Sequence, residues 1–570
     1  MAYITRKKIS GKTYYYAEQR EWRDGKSKRK WQKYLGTIEN IINACECNVH
    51  KPKYAVLFEL GTIAAFLHIS ETIKLKECIN AMLPKKQQGL SIGEYLEIAA
   101  FNRGIDATSK NAMWDWFENT ILINHYSHIK KETLSSQRFW DNMDKINEID
   151  IPKIWMRIID NALKTHQIEL DRICYDATNY YTFIGSFNQK CKIAQRGKNK
   201  QGRKNLRQIN YALFCSNQDR IPLYFDTYEG NTHDSPEFNK IFQQFKQAYA
   251  GKLDNSKPIT IIFDKGNNSP QNIGLFDGKG LRFVGSVKLG EHKELATILN
   301  DDNRFVASIH PDLEQIKTYR TKKHIYSKEL TVIVTFNSNL HEDQYQTIQN
   351  DIARCKKMLA ELKQKLDDRI NGLITKGKKP TIVSVKDNVK KILTRPYMKT
   401  LIDISYTLKN DLPTLNYALN LNELTNLSNT YLGKNIIITD NHEWATDDII
   451  IAYHSQYQIE HAFRDSKSRK NGSWWPMYHY TDQKIKIHGL YCTITMLLQA
   501  LIQRKIKQAN VSLSMERLHK ELSEIKEVIN YYPNKNKSQK RMNKNSTLTK
   551  MDEVKQKLFN LFDMTKYTMI

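Results

Sequence analysis

Three acidic residues stand where a folded chain can bring carboxylates together. Asp176 lies inside a strand-like run, LDRICYDATNYYTF, and Asp264 ends another, KPITIIFDKGNNS. Glu460 sits on a helix-like stretch, TDDIIIAYHSQYQIEHAFRDSK, directly after a third apolar run, GKNIIITD. Such a trio forms a metal site when the two strands are neighbours and the helix packs across them. Mg²⁺ prefers hard oxygen ligands. Two ions about 3.5 to 4 Å apart stabilise the attacking and leaving oxygens of an in-line phosphoryl displacement, and the strand-borne Asp176 is the natural bridge. Among 61 acidic residues many triplets occur by chance. The plain alternatives are a strand-end turn residue for Asp176 and an Asx turn with Gly266 for Asp264.

The stretch Thr446 to Lys467 reads as one helix, opened by a Thr cap and two early aspartates that suit the positive end of the dipole. Tyr453, Glu460 and Lys467 recur every seven residues on one stripe, with Gln456 and Arg464 beside them. Ala452, Ile459 and Phe463 form a second stripe suited to burial. One face packs and the other is free to work, although a solvated charged face has the same pattern.

The elements that must position these residues follow from the periodicity. Residues 1–50 read as a basic β unit, three strands with turns at Ser10-Gly11 and Asp24-Gly25. Its interleaved basic and aromatic residues suit phosphate and base contacts, and equally an exposed sheet face. Residues 51–168 read as helical, with a capping box at Ser91 and Glu94 and a helix start at Ser135 or Ser136. They are compatible with a DNA-binding region and with a generic bundle. Residues 169–288 and 433–508 read as two parts of one α/β core, and 289–432 as an insertion between them. The charged helix from about Glu342 to Asp368 is either a dimerising coiled coil or a solvated arm. Residues 509–570 read as a basic helical tail, interrupted by the low-complexity NYYPNKNKSQKRMNKNS.

Composition narrows the partners. The chain has 570 residues, 40% of them hydrophobic and 10% aromatic, enough for real cores. Its 88 Lys and Arg against 61 Asp and Glu leave a formal charge of +27, which points to a polyanion. Nucleic acid is the first candidate and an anionic membrane surface the second. Neither a signal-type N-terminus nor an uninterrupted membrane-length apolar run is present, and Ile485 to Ile502 carries Lys486, His488 and Gln499, as in a buried helix. A cytoplasmic protein that works without a membrane, associated with a bacterial-type nucleoid, is the expectation. The 8 cysteines include one close pair, Cys45 and Cys47, with no second pair to complete a zinc site.

The spacing Tyr453, two residues, Gln456, three residues, Glu460, six residues, Lys467 resembles the Y-(2)-R-(3)-E-(6)-K signature of DDE-class insertion-sequence transposases of the IS-four superfamily. YDATNYYTF looks like that family's first-aspartate strand, IIFDKGNNS like its second-aspartate motif, and FDTYEGNTHDSPEF like the segment after its third strand. YLGKNIIITDN, WWPMYHYTDQKIKIHG and the basic start ending in KYLG resemble the subgroup numbered sixteen thirty-four.

The resemblance implies a ribonuclease-H-like catalytic core with an inserted domain before the last core strand and helix. Asp264 lies 88 positions after Asp176 (264 minus 176), and Glu460 lies 196 after Asp264 (460 minus 264), a gap that leaves room for the insertion. It implies that Asp176, Asp264 and Glu460 bind two Mg²⁺ ions, with Mn²⁺ able to substitute. Tyr453, Gln456, Arg464 and Lys467 would lie along double-stranded DNA, with Trp474 or Trp475 stacking on an unpaired base. The implied activity is cut-and-paste transposition at inverted terminal repeats into target DNA by a homodimer. Relatives pass through a hairpin at the transposon end. Gln456 departs from the signature, because Gln has no charged fork for phosphate. A non-mobile nuclease of this fold and a decayed DNA-binding protein are the alternatives.

Overall fold

The computed structural model describes residues 2–569 other than 24, 47–51, 84–88, 200–201, 204, 255, 277, 279, 469–471 and 533–542. The turn residue Asp24, the Cys47 thiol, the boundary at residues 50 and 51 and most of the low-complexity stretch lie outside the described residues. The chain divides into two compact units. One comprises Met1–Ala65, Asp115–Ser127 and Arg517–Ile570, and the other comprises Phe66–Trp114 and His128–Glu516.

The first unit opens with an antiparallel sheet of β1 (Ala2–Ile9), β2 (Lys12–Arg23) and β3 (Lys26–Gly36). Ser10 and Gly11 have φ of 48° and 80°, the paired positive values that a tight hairpin with right-twisted strands requires. Trp22, Trp31 and Tyr34 are exposed on this sheet. A further strand, β4 (Tyr54–Glu59), takes its partner from the far end of the chain.

In the second unit the helix Ile92–Ile105 begins at the expected box: Ser91 Oγ accepts from the Glu94 N–H at 3.3 Å, and Glu94 accepts from the Ser91 N–H at 2.6 Å. Ser135 caps the helix Ser136–Met143. The chain then enters its main sheet through β5 (Arg172–Tyr181), β6 (Gln208–Ser216), β7 (Pro222–Glu229), β8 (Ile259–Ile262) and β9 (Leu281–Val287). It continues through β10 (Val306–Ala307), β11 (Ile316–Ile325) and β12 (Lys328–Asn337), leaves for the hairpin β13 (Ile402–Lys409) and β14 (Leu412–Leu419), and returns as β15 (Lys434–Thr439). The order across the sheet is β10-β11-β12-β15-β9-β8-β5-β6-β7.

The pairings of β8 with β5 and with β9 are parallel, and all the other pairings described in this sheet are antiparallel. Every residue of β6 and β8 is buried, as in strands covered on both faces, including the polar Gln208, Asn210 and Thr260. Helix Asp234–Ala248 covers one face, where Phe238 meets Tyr175 and Phe245 stacks on Phe214. On the other face Tyr180, Tyr211 and Phe225 form an aromatic layer with Trp155 and Trp474.

Two expectations for the segment 289–432 change. Strands β10 to β12 extend the core sheet beyond β15, so the separate part of the insertion starts only after Asn337. In the helix Ser338–Ile370, Ile348, Ile352, Cys355, Leu359 and Leu366 are buried against Val385, Val389 and Leu415. Their spacing alternates between three and four residues before its last step, the pattern of a coiled-coil seam. The hairpin and the helix Ile382–Ile392 occupy that seam, so this face is neither a dimer contact nor a solvated arm.

The tail also differs. β16 (Lys526–Tyr532) pairs with β4 on one side and with β17 (Asn543–Leu548) on the other, where only helix was expected. Val528, Ile529, Tyr531 and Tyr532 favour a pleated strand, but the partner lies hundreds of residues away. By the same pairing the region 51–168 is not purely helical. Helix Asp482–Gln508 is long and apolar enough to span a bilayer, and 94% of its apolar window is buried inside the protein, as expected for Ile485 to Ile502.

Candidate active site

Register brings the two aspartates together. Cys174 on β5 stands opposite Ile262 on β8, and Ile262 stands opposite Val284 on β9, all three strands running the same way. Two residues further along each strand come Asp176, Asp264 and Ser286. A step of two keeps the same face, and adjacent strands are about 4.8 Å apart. The three therefore form one row across the sheet.

Asp264 lies just past the end of β8 and opens the short helical turn Lys265–Asn267. Its main-chain carbonyl accepts the Asn267 N–H at 3.0 Å, while its side chain caps nothing. The Asx-turn alternative thus fails on geometry. The Asp264 carboxylate is exposed and takes no hydrogen bond or ion pair among the described residues. Asp176 is half-buried, and its Oδ1 accepts the Ala177 N–H at 2.7 Å.

The segment expected as one helix is two, Thr446–His454 and Tyr457–Lys467. Ala445 is the N-cap residue and makes no side-chain bond, and the Thr446 hydroxyl instead accepts from Arg320 at 3.3 Å. At the break, Ser455 Oγ donates back to the Ala452 carbonyl at 2.5 Å, a local bond that competes with the helix ladder. The amides of Gln458 and Ile459 then bond three residues back. The Cys174 thiol donates to the Ser455 carbonyl at 3.7 Å, which pins the break to β5.

The second helix lies along β5. Ser466 Oγ is 2.6 Å from the Tyr180 hydroxyl, and Lys467 Nζ donates to Thr178 Oγ1 at 2.5 Å. Helices rise about 1.5 Å and strands about 3.3 Å per residue, so Glu460, five residues past Ser455, comes level with a point about two residues past Cys174. That point is Asp176. Ile459, Ala462 and Phe463 are buried toward the sheet, whereas Glu460 and Arg464 are exposed. The Glu460 carboxylate, like that of Asp264, makes neither a hydrogen bond nor an ion pair among the described residues.

Tyr453 closes the row from the first helix. Its hydroxyl donates to Ser286 Oγ at 2.8 Å. Burial raises the phenol above its usual pKa, the Ser286 bond opposes this, and the Asp264 charge adds a smaller upward push. Lys467 is held by Thr178 and lies 5.4 Å from the Tyr180 ring centroid, so its ammonium is fixed beside the Asp176 strand. Asp176 and Asp264 in one row of the sheet, with Glu460 on the helix above, are hard oxygen donors of the kind a divalent cation takes. As placed, no three His, Cys, Asp or Glu side chains among the described residues stand close enough to share an ion.

Two expectations are revised here. Trp474 is fully buried, stacked on Tyr180 at 4.2 Å between centroids with an interplanar angle of 6°. Trp475 stacks on Tyr181 at 4.5 Å and donates to its carbonyl at 3.0 Å. Both rings are engaged by the protein and offer no open face for a base. Gln456 sits at the break, and its Nε2 is buried with no acceptor among the described residues. An unmade buried hydrogen bond costs about 1–3 kcal/mol, whereas an apolar group of similar shape avoids that cost. Gln456→Met is therefore expected to leave stability to denaturant unchanged or raised by about 1 kcal/mol. A loss of that size would mean that the amide has a partner.

Sequence reasoning did not single out Thr178, Tyr180, Ser286 and Ser455, which hold this site together. The first two carry a signal, since they follow Asp176 at steps of two on its own face. Ser286 and Ser455 carry none, because only register and the helix break give them their positions.

The family model for the transposase DDE domain matches residues 169–497, more than half of the chain and all of the row just described. The chain belongs to the DDE transposase family. It is thus an enzyme of DNA cleavage and strand transfer, in a family that generally uses divalent metal ions. Among solved structures, a chain of the "Cryo-EM structure of piggyBac transposase synaptic complex with hairpin DNA" aligns over 84% of this chain and 80% of that one, at 9% identity and a TM-score of 0.37. Among curated proteins none matches. In this transposase the matched segment contains the sheet from β5 to β15, both halves of the Glu460 helix and the first part of Asp482–Gln508.

Proposed function

We propose that this transposase carries out cut-and-paste transposition with Asp176, Asp264 and Glu460 as its metal-binding catalytic carboxylates on a ribonuclease-H-like core. The observation that carries the assignment is the shared register of Asp176 and Asp264 on neighbouring parallel strands, with Glu460 level with them on the helix above. The strand order β7-β6-β5-β8-β9, an antiparallel meander extended by two parallel strands, supports the ribonuclease-H-like description.

The three carboxylates would hold two Mg²⁺ ions, with Mn²⁺ able to replace them. When bound, such ions activate the attacking oxygen and neutralise charge on the leaving oxygen. The chain's own residues orient the reaction. Thr178 fixes Lys467, and Ser286 fixes Tyr453, so a cation and a phenol flank the row on opposite sides. Exposed Arg464 lies on the DNA side, and Gln456, directed inward, contributes no charge there. In the first step a water oxygen forms a bond to phosphorus and the 3′-oxygen leaves as a hydroxyl. In the second step that hydroxyl oxygen forms the new phosphodiester, and the target strand's 3′-oxygen leaves.

Under this proposal the DNA partners are inverted terminal repeats and a target duplex, and a homodimer pairs the two ends in the cytoplasm at the nucleoid. The test supplies a precut terminal-repeat end and a supercoiled target. Joined product is expected with Mg²⁺ or Mn²⁺ and none in excess chelator, with end binding retained. Cleavage of an uncut end without joining of the precut one would reduce the enzyme to a nuclease.

A further inference from the structure

A cavity of about 330 Å³ lies among the helical elements of the larger unit; its lining includes none of the carboxylate row, and none of the steps above uses it. Arg103, Lys110, His479 and Lys484 line it, and among the described residues no Asp or Glu does. Arg103 is 1% exposed and Lys110 5%. Among the described residues Lys110 Nζ has no hydrogen-bond acceptor, whereas Arg103 donates to the Thr108 carbonyl at 2.9 Å and also interacts with the Tyr491 hydroxyl.

Buried cations are normally paired or hydrogen-bonded. Here the Lys110 ammonium lies instead over two rings, 4.5 Å from the Tyr491 centroid and 4.8 Å from that of Phe139. The rings stabilise the charge without accepting its N–H bonds. Burial, with the Arg103 charge next to it, holds the Lys110 ammonium well below its usual pKa. Lys484 pairs with Asp144 at 3.6 Å, but Lys110, deep in the pocket beside Arg103, has no acidic partner among the described residues, so this end of the site is suited to an anion. Its walls add flat surface: Trp140 lines it, Tyr478 and Tyr480 stand at its exposed edge, and Lys484 lies 5.5 Å from the centroids of both Trp140 and Tyr480.

We propose that this cavity is a phosphate-binding pocket that takes the phosphate of a single nucleotide unit, with Arg103 and Lys110 on the phosphate oxygens and the aromatic wall against the base or sugar. Arg and Lys donors are the usual partners of phosphate oxygens, and base-aromatic stacking tolerates any sequence. The nucleotide comes either from a DNA strand or from the free pool, and its phosphate is the shared chemistry. The pocket goes beyond the assigned transposition chemistry and does not depend on the carboxylate assignment.

The test uses the full chain in chelator, so that the metal site is silent, with calorimetric titration of inorganic phosphate, a deoxynucleoside monophosphate, the matching nucleoside, and a short single-stranded oligonucleotide with and without a 5′-phosphate. Saturable binding of at least one phosphate-bearing probe is expected, at least tenfold weaker in Lys110→Met, with no binding of the nucleoside. Preference for the phosphorylated oligonucleotide assigns the ligand to DNA, and equal binding of the monophosphate assigns it to free nucleotide. Lys110→Met removes an unpaired buried charge, so its melting temperature should equal or exceed that of the parent. Asn111→Asp adds an acid on the exposed part of the lining and should weaken binding several-fold even if Lys110→Met does not fold. Binding that is unchanged in both variants, or absent for every phosphate-bearing probe, overturns the proposal.

Discussion

Asp176→Asn should abolish terminal-repeat cleavage, with a loss of at least about 10³-fold, the scale on which removal of one preorganised electrostatic group in a catalytic site is felt. The substitution is chosen because it isolates charge. Asparagine has the shape of aspartate, and its Oδ1 can still accept the Ala177 N–H that Asp176 holds at 2.7 Å. The strand therefore keeps its local bond, and its pairing with β6 and β8 is main-chain. Melting should be nearly unchanged, while turnover with Mg²⁺ on a labelled terminal-repeat duplex falls to background. End binding, measured by gel shift, should persist, because the substitution removes a negative charge and no positive one. Cleavage within tenfold of the parent would place the chemistry elsewhere and remove the basis for reading the row as a metal site. A parallel loss of melting temperature would instead show that Asp176 matters for folding.

Trp474→Ala should destabilise the core by about 3–5 kcal/mol, the range for emptying a large buried aromatic site. The ring fills the space between Tyr180, Tyr211 and His488, and its closest partner, Tyr180, is on the strand that carries Asp176. Its indole nitrogen is buried without an acceptor among the described residues, so the stabilisation comes from packing. Trp474→Phe should recover much of the loss, since a smaller ring still stacks on Tyr180. The readout is the denaturant midpoint of the transition that reports the larger unit, followed by near-ultraviolet circular dichroism of the aromatic layer. The opposite pattern, unchanged stability with a selective defect at the DNA end, would restore the base-stacking role expected from sequence.

The strands were legible because their signal is local. β5, β6, β8, β9, β12 and β15 each announce themselves as apolar or alternating runs, and Ser91 with Glu94 marks its helix start within four residues. The Thr446 to Lys467 segment was half legible. Its buried stripe was correct, with Ala452, Ile459 and Phe463 all buried, yet the break at Ser455 was hidden. Serine is an unremarkable helix residue until Cys174 and the Ala452 carbonyl compete for its polar groups. The seam of Ser338–Ile370 was hidden in the same way, because a heptad pattern states that something packs there and not what.

The amino-acid sequence by itself determined which carboxylates end or follow apolar β runs, where most strands lie, how much positive charge the protein carries and the spacing that marks its family. These follow from short-range periodicity and composition, which need no knowledge of partners. Only the tertiary structure decided that Asp176, Asp264 and Ser286 share one register, that Glu460 comes level with them, that β4 and β16 pair from opposite ends of the chain, and that Arg103 and Lys110 are buried together. Those are contacts between residues tens to hundreds of positions apart. Which strand lies beside which is settled by burying all the faces at once, and no window of sequence contains that constraint.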